Sequence, residues 1–342
     1  MTFSPLMQRR LRQFKANRRG YLSLWIFCVF FLITLLAPLI SNDKPIVVYY
    51  DQHFYFPIVK AYPETIWGGT FETETNYRDP YVKELITKKG WMVFPPIPYS
   101  FDTVNYDIPT PAPSAPTMDN WLGTDDQGRD VVARLIYGSR ISILFGLALA
   151  VFSSIIGVAA GATQGYYGGT IDLILQRFTE IWSGLPILYL LIILSSMIEP
   201  NFWWLLLIML LFSWMNLVAV VRAEFFRTRS LDYVRAAEAL GVPGYRIIWR
   251  HILPNAMVAT ITYLPFIISA SITTLTSLDF LGFGLPPGSA SLGELLTQGK
   301  NNIQAPWLAL TGFFSIALIL SLLIFIGEAV RDAFDPRKVS VS

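Results

Sequence analysis

Few side chains in this chain have the type and placement for catalysis. The sequence holds two histidines, His53 and His251, and one cysteine, Cys28. A single cysteine excludes an internal disulfide and a cysteine-based zinc site. A membrane hydrolase would need a buried polar dyad for acid–base or nucleophilic work. Both histidines lie outside the apolar stretches described below, so the sequence predicts that the chain is not an enzyme.

Two glycine-containing strings resemble ligand-binding loops only in part. In 293–301 (GELLTQGKN) five residues separate the glycines, and Asn301 stands where a P-loop has Ser or Thr. A P-loop needs four intervening residues because its backbone amides and lysine enclose phosphates. The string 123–130 (GTDDQGRD) has acids without the spacing of an EF-hand. We interpret it as a capped turn before a helix, and we predict no bound metal or nucleotide.

The composition favours a membrane protein. Hydrophobic residues make up 53% of the 342 positions and charged residues 15%, whereas a soluble domain carries about 25% charged residues. The ten tryptophans suit a protein with many water–lipid boundaries. A formal net charge of +2 argues against nucleic acid as a partner.

Six apolar stretches lack charged residues, and a membrane helix needs about 20 residues. The first is too long for a cleaved signal peptide, so we expect a retained anchor. The third is short, is expected to begin near Phe178, and should form a tight hairpin with the fourth. The stretches are 21–40, 141–163, 185–198, 202–221, 256–277 and 307–326.

Basic residues predict the orientation of these spans. Residues 1–20 carry six Lys and Arg and no acid, which places the N-terminus in the cytoplasm. Six crossings return the C-terminus, with Arg331, Arg337 and Lys338, to the same side. The loop 222–255 then also faces the cytoplasm. Residues 6–14 are predicted either as a short interfacial helix or as a disordered basic tail.

Residues 41–120 form a long segment between the first two spans. Two β-prone runs within 46–59 surround Asp51-Gln52 and predict a small hairpin. Seven prolines in 95–116 predict an extended strip. We therefore expect a small periplasmic insert with irregular and β structure.

Glycines at i, i+4 and i+8 lie inside the second span at Gly157, Gly161 and Gly165. They clear one helix face and predict close helix packing, with a substrate-facing role as the alternative. No span has an ionisable residue in its middle, which argues against ion-coupled transport. A channel, or a permease driven by a partner, remains.

The sequence of the loop 222–255 predicts two short helices joined by a turn. Asp232 is suited to cap a first helix, which Gly241 ends in the left-handed conformation. Pro243 suits the first turn of a second helix, which Pro254 should stop before the fifth span. Small residues lie at the tip, as in helices that seat in a groove of another protein. An ordinary interfacial loop is the alternative.

This loop resembles the EAA motif, E-A-A-x(3)-G-x(9)-I-x-L-P, of ABC-importer permeases. Ala236-Ala237, Gly241 and Leu253-Pro254 match it, and Gly241 and Pro254 are thirteen positions apart as in the motif. Arg235 replaces the motif Glu and His251 replaces its Ile. The role of the motif Glu therefore cannot be assigned to position 235 of this chain. Glu238, three positions further on, is the alternative candidate for that role.

Other segments resemble the dipeptide/oligopeptide C-type subfamily of these permeases. They are 10–19, 121–130, 134–142 and 279–286. The insert, with 201–204 and 299–307, most resembles the branch that imports peptides and microcin C.

The resemblance implies an all-α integral membrane fold with six transmembrane helices and a type I, MetI-like permease core in the bacterial inner membrane. Residues 1–20 would be a cytoplasmic elbow, 21–40 the first span, 41–120 the insert, and 121–342 a five-helix core with the coupling loop 222–255. Implied partners are a second homologous permease subunit, an ABC ATPase that binds ATP and Mg, a periplasmic substrate-binding protein and membrane lipid.

The resemblance also implies the site residues and a peptide cargo. Alternatives are dipeptide or nickel cargo, or a passive channel. Polar candidates for the path are Ser195, Ser269, Ser271, Thr273, Thr274 and Thr276, which could equally make helix-packing hydrogen bonds. Residues expected at the ATPase contact are Asp232, Tyr233, Arg235, Ala236, Ala237, Glu238, Leu240, Gly241, Arg250, Leu253 and Pro254.

Overall fold

The computed structural model describes residues 5–334, so Arg337 and Lys338 lie outside the described residues. The chain divides into two compact units. The helical unit contains the described residues up to Cys28, Ile143–Pro286, and the residues from Ala317 onward. The β-containing unit contains Val29–Ser142 and Pro287–Ile316.

The basic N-terminal segment is helical. Helix α1 covers Pro5–Ala16 and helix α2 covers Arg18–Leu35, so the helical alternative for residues 6–14 is confirmed. The Arg10 guanidinium lies 4.5 Å from the ring centroid of Phe334, a cation–π distance.

The predicted hairpin is present in the β-containing unit. After helix α3 (Ala37–Ile40), strand β1 (Val47–Tyr50) pairs antiparallel with β2 (His53–Tyr55). Asp51 and Gln52 have φ of 47° and 62°, so the turn has the twist that suits a two-residue hairpin.

Two elements in this unit have no counterpart in the sequence prediction. Helix α4 (Pro80–Lys89) leads directly into strand β3 (Gly90–Val93), which gives a sheet ordered β2-β1-β3. Val48 and Tyr50 on β1 pack against Trp67, Tyr77 and Ile86. Trp67 belongs to the 3₁₀ turn Glu64–Trp67, and its Nε1 donates to Thr75 Oγ1 at 2.9 Å. The insert therefore has its own aromatic core.

The third predicted span corresponds to two helices with a sharp bend between them. Helix α5 (Val131–Tyr167) is followed by α6 (Gly169–Ser183) and α7 (Ile187–Met197), which are bent by 72°. Pro186 lies in the break, where its missing N–H and the restriction on the preceding residue interrupt a helix.

The fourth predicted span is also broken. Helices α8 (Phe202–Ser213) and α9 (Met215–Arg229) meet at Trp214 with a bend of 41°. The indole nitrogens of Trp182 and Trp214 both donate to Leu211 O, each at 3.0 Å. In a straight helix the Leu211 carbonyl would accept from Met215 N–H. Side chains that insert into the backbone hydrogen bonds of a helix are a known cause of kinks, and the two indoles do so here.

Pro254 does not stop the second helix of the loop, so that prediction is wrong. After α10 (Asp232–Ala239), helix α11 (Gly244–Ile247), a π-helical turn (Ile248–Ile252) and helix α12 (Leu253–Phe280) follow without interruption. Pro254 lacks an N–H, and in a regular α-helix its ring would clash with the carbonyl four positions back. The wider π turn that precedes it accommodates the ring.

Two further helices complete the described chain. They are α13 (Leu292–Asn301), which contains the string 293–301, and α14 (Pro306–Phe334). In residues 5–334 four helices are long and apolar enough to cross a membrane, namely α2, α5, the continuous 244–280 and α14. The number reaches six if each bent pair, α6–α7 and α8–α9, counts as one span.

Candidate functional site

Helix α10 ends in a turn that only glycine adopts without strain. Gly241 has φ of +74°, and its N–H donates to Glu238 O at 2.9 Å. The next amide, Val242 N–H, donates to Ala237 O at 3.1 Å. These two bonds form a Schellman motif, so Gly241 fixes the angle at which the chain leaves α10.

The start of α10 differs from the prediction. Leu231 is the N-cap and makes no side-chain cap hydrogen bond, whereas Asp232 is the first helical residue. Asp232 therefore does not cap the helix. A carboxylate in the first turn still interacts favourably with the helix dipole.

The C-terminal end of α5 contacts this loop and the end of α9 that precedes it. Arg229 Nη1 donates to Tyr166 O at 2.9 Å and Gly165 O at 3.3 Å, carbonyls that the helix itself leaves free. A Cβ on Gly244 would lie 2.9 Å from Tyr166 Oη. The second helix of the loop therefore begins in close contact with Tyr166.

Tyr233 ties the two helices of the loop together. Its hydroxyl donates to His251 O at 3.3 Å and accepts from Asn255 Nδ2 at 2.9 Å. The bonded carbonyl lies in the π turn. This contact gives α10 a fixed position against the start of α12.

One face of the loop is exposed. Val234 and Ala237 are buried, whereas Leu240, Tyr245 and Trp249 are 84%, 63% and 70% exposed. The exposed side of the loop therefore carries large apolar side chains. Of the predicted contact residues, Leu253 is half-buried, and those on the exposed side are Asp232, Tyr233, Arg235, Ala236, Glu238, Leu240, Gly241, Arg250 and Pro254.

The three spaced glycines of α5 lie against α9. A Cβ would come within 2.7 Å of Trp214 O at Gly157, 2.8 Å of Val221 Cβ at Gly161, and 2.4 Å of Phe225 Cβ at Gly165. The contacts advance in the same direction along both helices, so α5 and α9 run parallel. Backbones approach this closely only where glycine leaves the space.

Most of the polar candidates on α12 donate their hydroxyl hydrogen bonds to backbone carbonyls of the same helix. Ser271 Oγ donates to Ile267 O at 2.7 Å, Thr274 Oγ1 to Ala270 O at 2.9 Å, and Ser269 and Thr273 bond in the same way four residues back. Ser271 and Thr274 line a cavity of about 270 Å³ between α5, the two helix bends and α12. Ser195, Ser269, Thr273 and Thr276 are not among its lining residues.

Comparisons with known proteins settle the family. Residues 141–340 match the family described as binding-protein-dependent transport system inner membrane component. Residues 4–57 match the N-terminal TM domain of oligopeptide transport permease C. The chain is an ABC transport permease.

Individual relatives agree with this membership. The permease is 61% identical to the inner membrane ABC transporter permease protein YejE of Escherichia coli K12, over 98% of each chain. It is 56% identical to the peptidoglycan transport system permease protein YejE of Agrobacterium fabrum, over 98% of this chain and 94% of that one. It is 33% identical to the oligopeptide permease OppC of Haemophilus influenzae, over 74% and 80%.

A solved structure supports the fold. An inward-facing MetNI methionine ABC transporter chain matches with a TM-score of 0.50 at 14% identity, over 60% of this permease and 98% of that chain. At that identity the likeness shows the MetI-like fold alone.

The β-containing unit of the permease holds a buried ionic cluster that the sequence did not predict. Arg129 Nε donates to Asp125 Oδ2 at 2.7 Å, and Arg134 Nη2 donates to Glu294 Oε2 at 2.7 Å. Asp125 and Arg134 are fully buried. The string 123–130 does form the predicted turn, because Asp130 Oδ1 accepts from Ala133 N at 2.8 Å at the start of α5. Burial raises the pKa of the Asp130 carboxyl.

A second ion pair was also missed. Arg222 on α9 donates to both carboxylate oxygens of Asp172 on α6 at 2.5 and 2.6 Å, and to Gln176 Oε1 at 3.2 Å. No sequence pattern signals this pair, because its members are 50 positions apart.

Proposed function

We propose that this permease is the transmembrane subunit of an ATP-driven importer of peptides or peptide-like compounds. It spans the bacterial inner membrane six times, with both termini in the cytoplasm and residues 41–120 in the periplasm. The parallel direction of α5 and α9 supports this count. It is the direction required when α6–α7 and α8–α9 each cross the membrane once.

The observation that carries the proposal is the loop between α9 and α12. Its EAA-like residues form a rigid turn at Gly241, fixed to α5 through Arg229 and to the π turn through Tyr233. The exposed small tip and apolar Leu240 suit insertion into a cleft of an ABC ATPase.

This chain supplies motion and a path but no bond-breaking chemistry. ATP and Mg bind to the partner ATPase. Closure of the ATPase subunits moves the coupling loop as a rigid body, and α9 and α12 convey that motion to the spans. A second, similar permease subunit completes the pore, and a periplasmic binding protein delivers cargo. The relatives named as oligopeptide and dipeptide permeases support a peptide cargo.

A cysteine crosslinking scan tests the proposal. Cys28 is the free cysteine of the chain, so Cys28→Ser gives a background for single cysteines at positions 232–245. In membranes that contain the native partners, Leu240→Cys should crosslink to an ATPase subunit in a nucleotide-dependent manner. Ser196→Cys, exposed at the other end of the helices, is the matched control. A scan that never captures an ATPase, or uptake without nucleotide, would contradict the proposal.

A further inference from the structure

The two helix bends of the helical unit open onto adjoining cavities. One is the cavity of about 270 Å³ that Ser271 and Thr274 line, and the other has about 260 Å³. Both are lined by Ser183 at the α6–α7 bend and by Met215 and Asn216 at the α8–α9 bend. Two cavities that share three lining residues adjoin, and together they reach the size range of small-molecule sites, about 300–1,000 Å³.

The adjoining cavities run along the membrane helices. Leu149 and Gln164, both on α5, line the first and the second cavity. At 1.5 Å per residue they are about 22 Å apart along the axis. Under the proposed orientation the second cavity is the one nearer the cytoplasm, since α5 ends at Tyr167.

The chemistry of the walls changes along this length. The outer cavity is walled by apolar side chains such as Leu149, Leu191 and Phe212, with Ser271 and Thr274 among them. The inner cavity is lined by three residues with side-chain amides, Gln164, Gln176 and Asn216, of which Gln176 is already bonded to Glu180 and Arg222. Side-chain amides both donate and accept hydrogen bonds.

One of these amides has an N–H group without a partner. Gln164 is 1% exposed, and its Nε2 has no hydrogen-bond partner among the described residues. A buried polar group without a partner lowers the stability of the folded protein, so its retention calls for an explanation. A ligand group that pairs with the Gln164 amide would remove the cost.

The charges beside the inner cavity are neutralised. Arg222 is paired with Asp172, and Glu180 with Arg177. The inner cavity therefore offers hydrogen bonds but no free charge, an environment that suits a neutral polar ligand more than a metal ion.

We propose that these cavities form a binding site for the peptide backbone of the cargo inside the permease. The amides of Gln164 and Asn216 pair with backbone N–H and C=O groups, which must be satisfied away from water. The apolar outer walls accept side chains of varied shape. The inference rests on the proposed function and adds a site of recognition beyond the binding protein.

Backbone N-methylation tests this site, because it removes a donor from the peptide. The complete transporter, with its ATPase, partner permease and binding protein, is reconstituted in proteoliposomes. Uptake of a tripeptide and of its N-methylated analogue is measured with Gln164→Leu, Asn216→Leu and the control Gln304→Leu, an exposed residue outside the cavities. The binding protein is the same throughout, so differences between variants come from the permease.

The site variants should raise the KM for the unmodified tripeptide about three- to tenfold, the effect of one hydrogen bond of roughly 0.7–1.4 kcal/mol. Their discrimination against the N-methylated analogue should fall by the same factor, while Gln304→Leu keeps wild-type discrimination. Since Leu removes an unpaired donor at position 164, Gln164→Leu should not lower the unfolding temperature. Unchanged discrimination in both site variants would overturn the proposal.

Direct contact gives a second measurement. In the Cys28→Ser background, Ser183→Cys should react during turnover with a tripeptide that carries a thiol-reactive group, and excess tripeptide should protect it. Ser196→Cys, outside the cavities, should not react in this way. Protection at both positions or at neither would refute the site. Absence of ATP-dependent uptake by the wild-type complex would refute the proposed function as well, whereas ATP-dependent uptake with unchanged variants would refute the site alone.

Discussion

Arg134 and Glu294 are 160 positions apart in sequence, yet Arg134 Nη2 lies 2.7 Å from Glu294 Oε2 and the Arg134 side chain is fully buried. The bond joins the first turn of α5 to α13. Removal of one partner from a buried pair leaves an uncompensated charge and costs about 3–5 kcal/mol.

Arg134→Met should therefore lower the free energy of unfolding by about that amount, measured by thermal unfolding of the purified permease. Glu84→Gln is the matched control, because Glu84 pairs with Lys88 where both side chains are more than 60% exposed. Exposed pairs contribute about 0–1 kcal/mol. Equal effects of the two substitutions would contradict the importance of burial.

Gly161→Ala should destabilise the permease by about 1–3 kcal/mol, the usual cost of overpacking. The new Cβ would lie 2.8 Å from Val221 Cβ and 2.9 Å from Val218 O, so α5 and α9 must separate. At Gly184 the nearest atoms to an added Cβ are 3.4 and 3.5 Å away and φ is −73°, so Gly184→Ala should be tolerated. The amount of folded protein in membranes and its unfolding temperature distinguish the two.

Gly241→Leu should uncouple ATP hydrolysis from transport while membrane insertion stays intact. An added Cβ meets no atom within 4 Å at this position, but φ is +74°, which costs a residue other than glycine roughly 1–2 kcal/mol. The turn therefore relaxes and the coupling loop changes direction. Gly241→Asn, which tolerates this region better, should retain more coupling. The ratio of peptide imported to ATP hydrolysed measures the effect, and an unchanged ratio in Gly241→Leu would count against the docking model.

Arg235→Glu restores the usual motif residue and should keep uptake within about twofold of wild type. Arg235 is exposed on α10, and surface substitutions away from special features usually change stability by no more than about 0.5 kcal/mol. The rate of peptide uptake at matched expression is the measurement. A loss of transport would mean that the ATPase partner requires a positive charge here.

Asp130 should make stability depend on pH. Burial raises the pKa of its carboxyl, and the hydrogen bonds from Asn120 and from the Ala133 and Val132 amides oppose that shift. Because the pKa is higher in the folded state, the protonated form favours folding. Its contribution is complete below the unfolded pKa, about 3.9, and is lost as pH rises through the folded pKa.

The unfolding temperature of wild type minus that of Asp130→Asn should therefore increase as pH falls from 7 to 4.5. A difference that does not change over this range would show that Asp130 titrates normally in the folded permease.

The sequence by itself determined what depends on neighbouring residues. Runs of apolar side chains mark membrane helices, since one continuous stretch must cover the hydrocarbon. The turn at Asp51-Gln52, the Gly241 turn and the EAA-like spacing are also local, because turn chemistry lies within a few residues. The resemblance to ABC permeases rests on the same spacing, and the family matches over 141–340 and 4–57 established the membership.

Only the tertiary structure decided features that depend on residues distant in the chain. At the α8–α9 bend, one of the two indoles that donate to Leu211 O belongs to Trp182, 29 positions away. The Arg134–Glu294 and Arg222–Asp172 pairs each join segments that are far apart in sequence. Position along the chain does not show that such segments lie close together in space. The cavity at Asn216 exists because two helices break side by side, and a hydropathy pattern reports the apolarity of a helix but not the point at which its hydrogen-bond ladder opens.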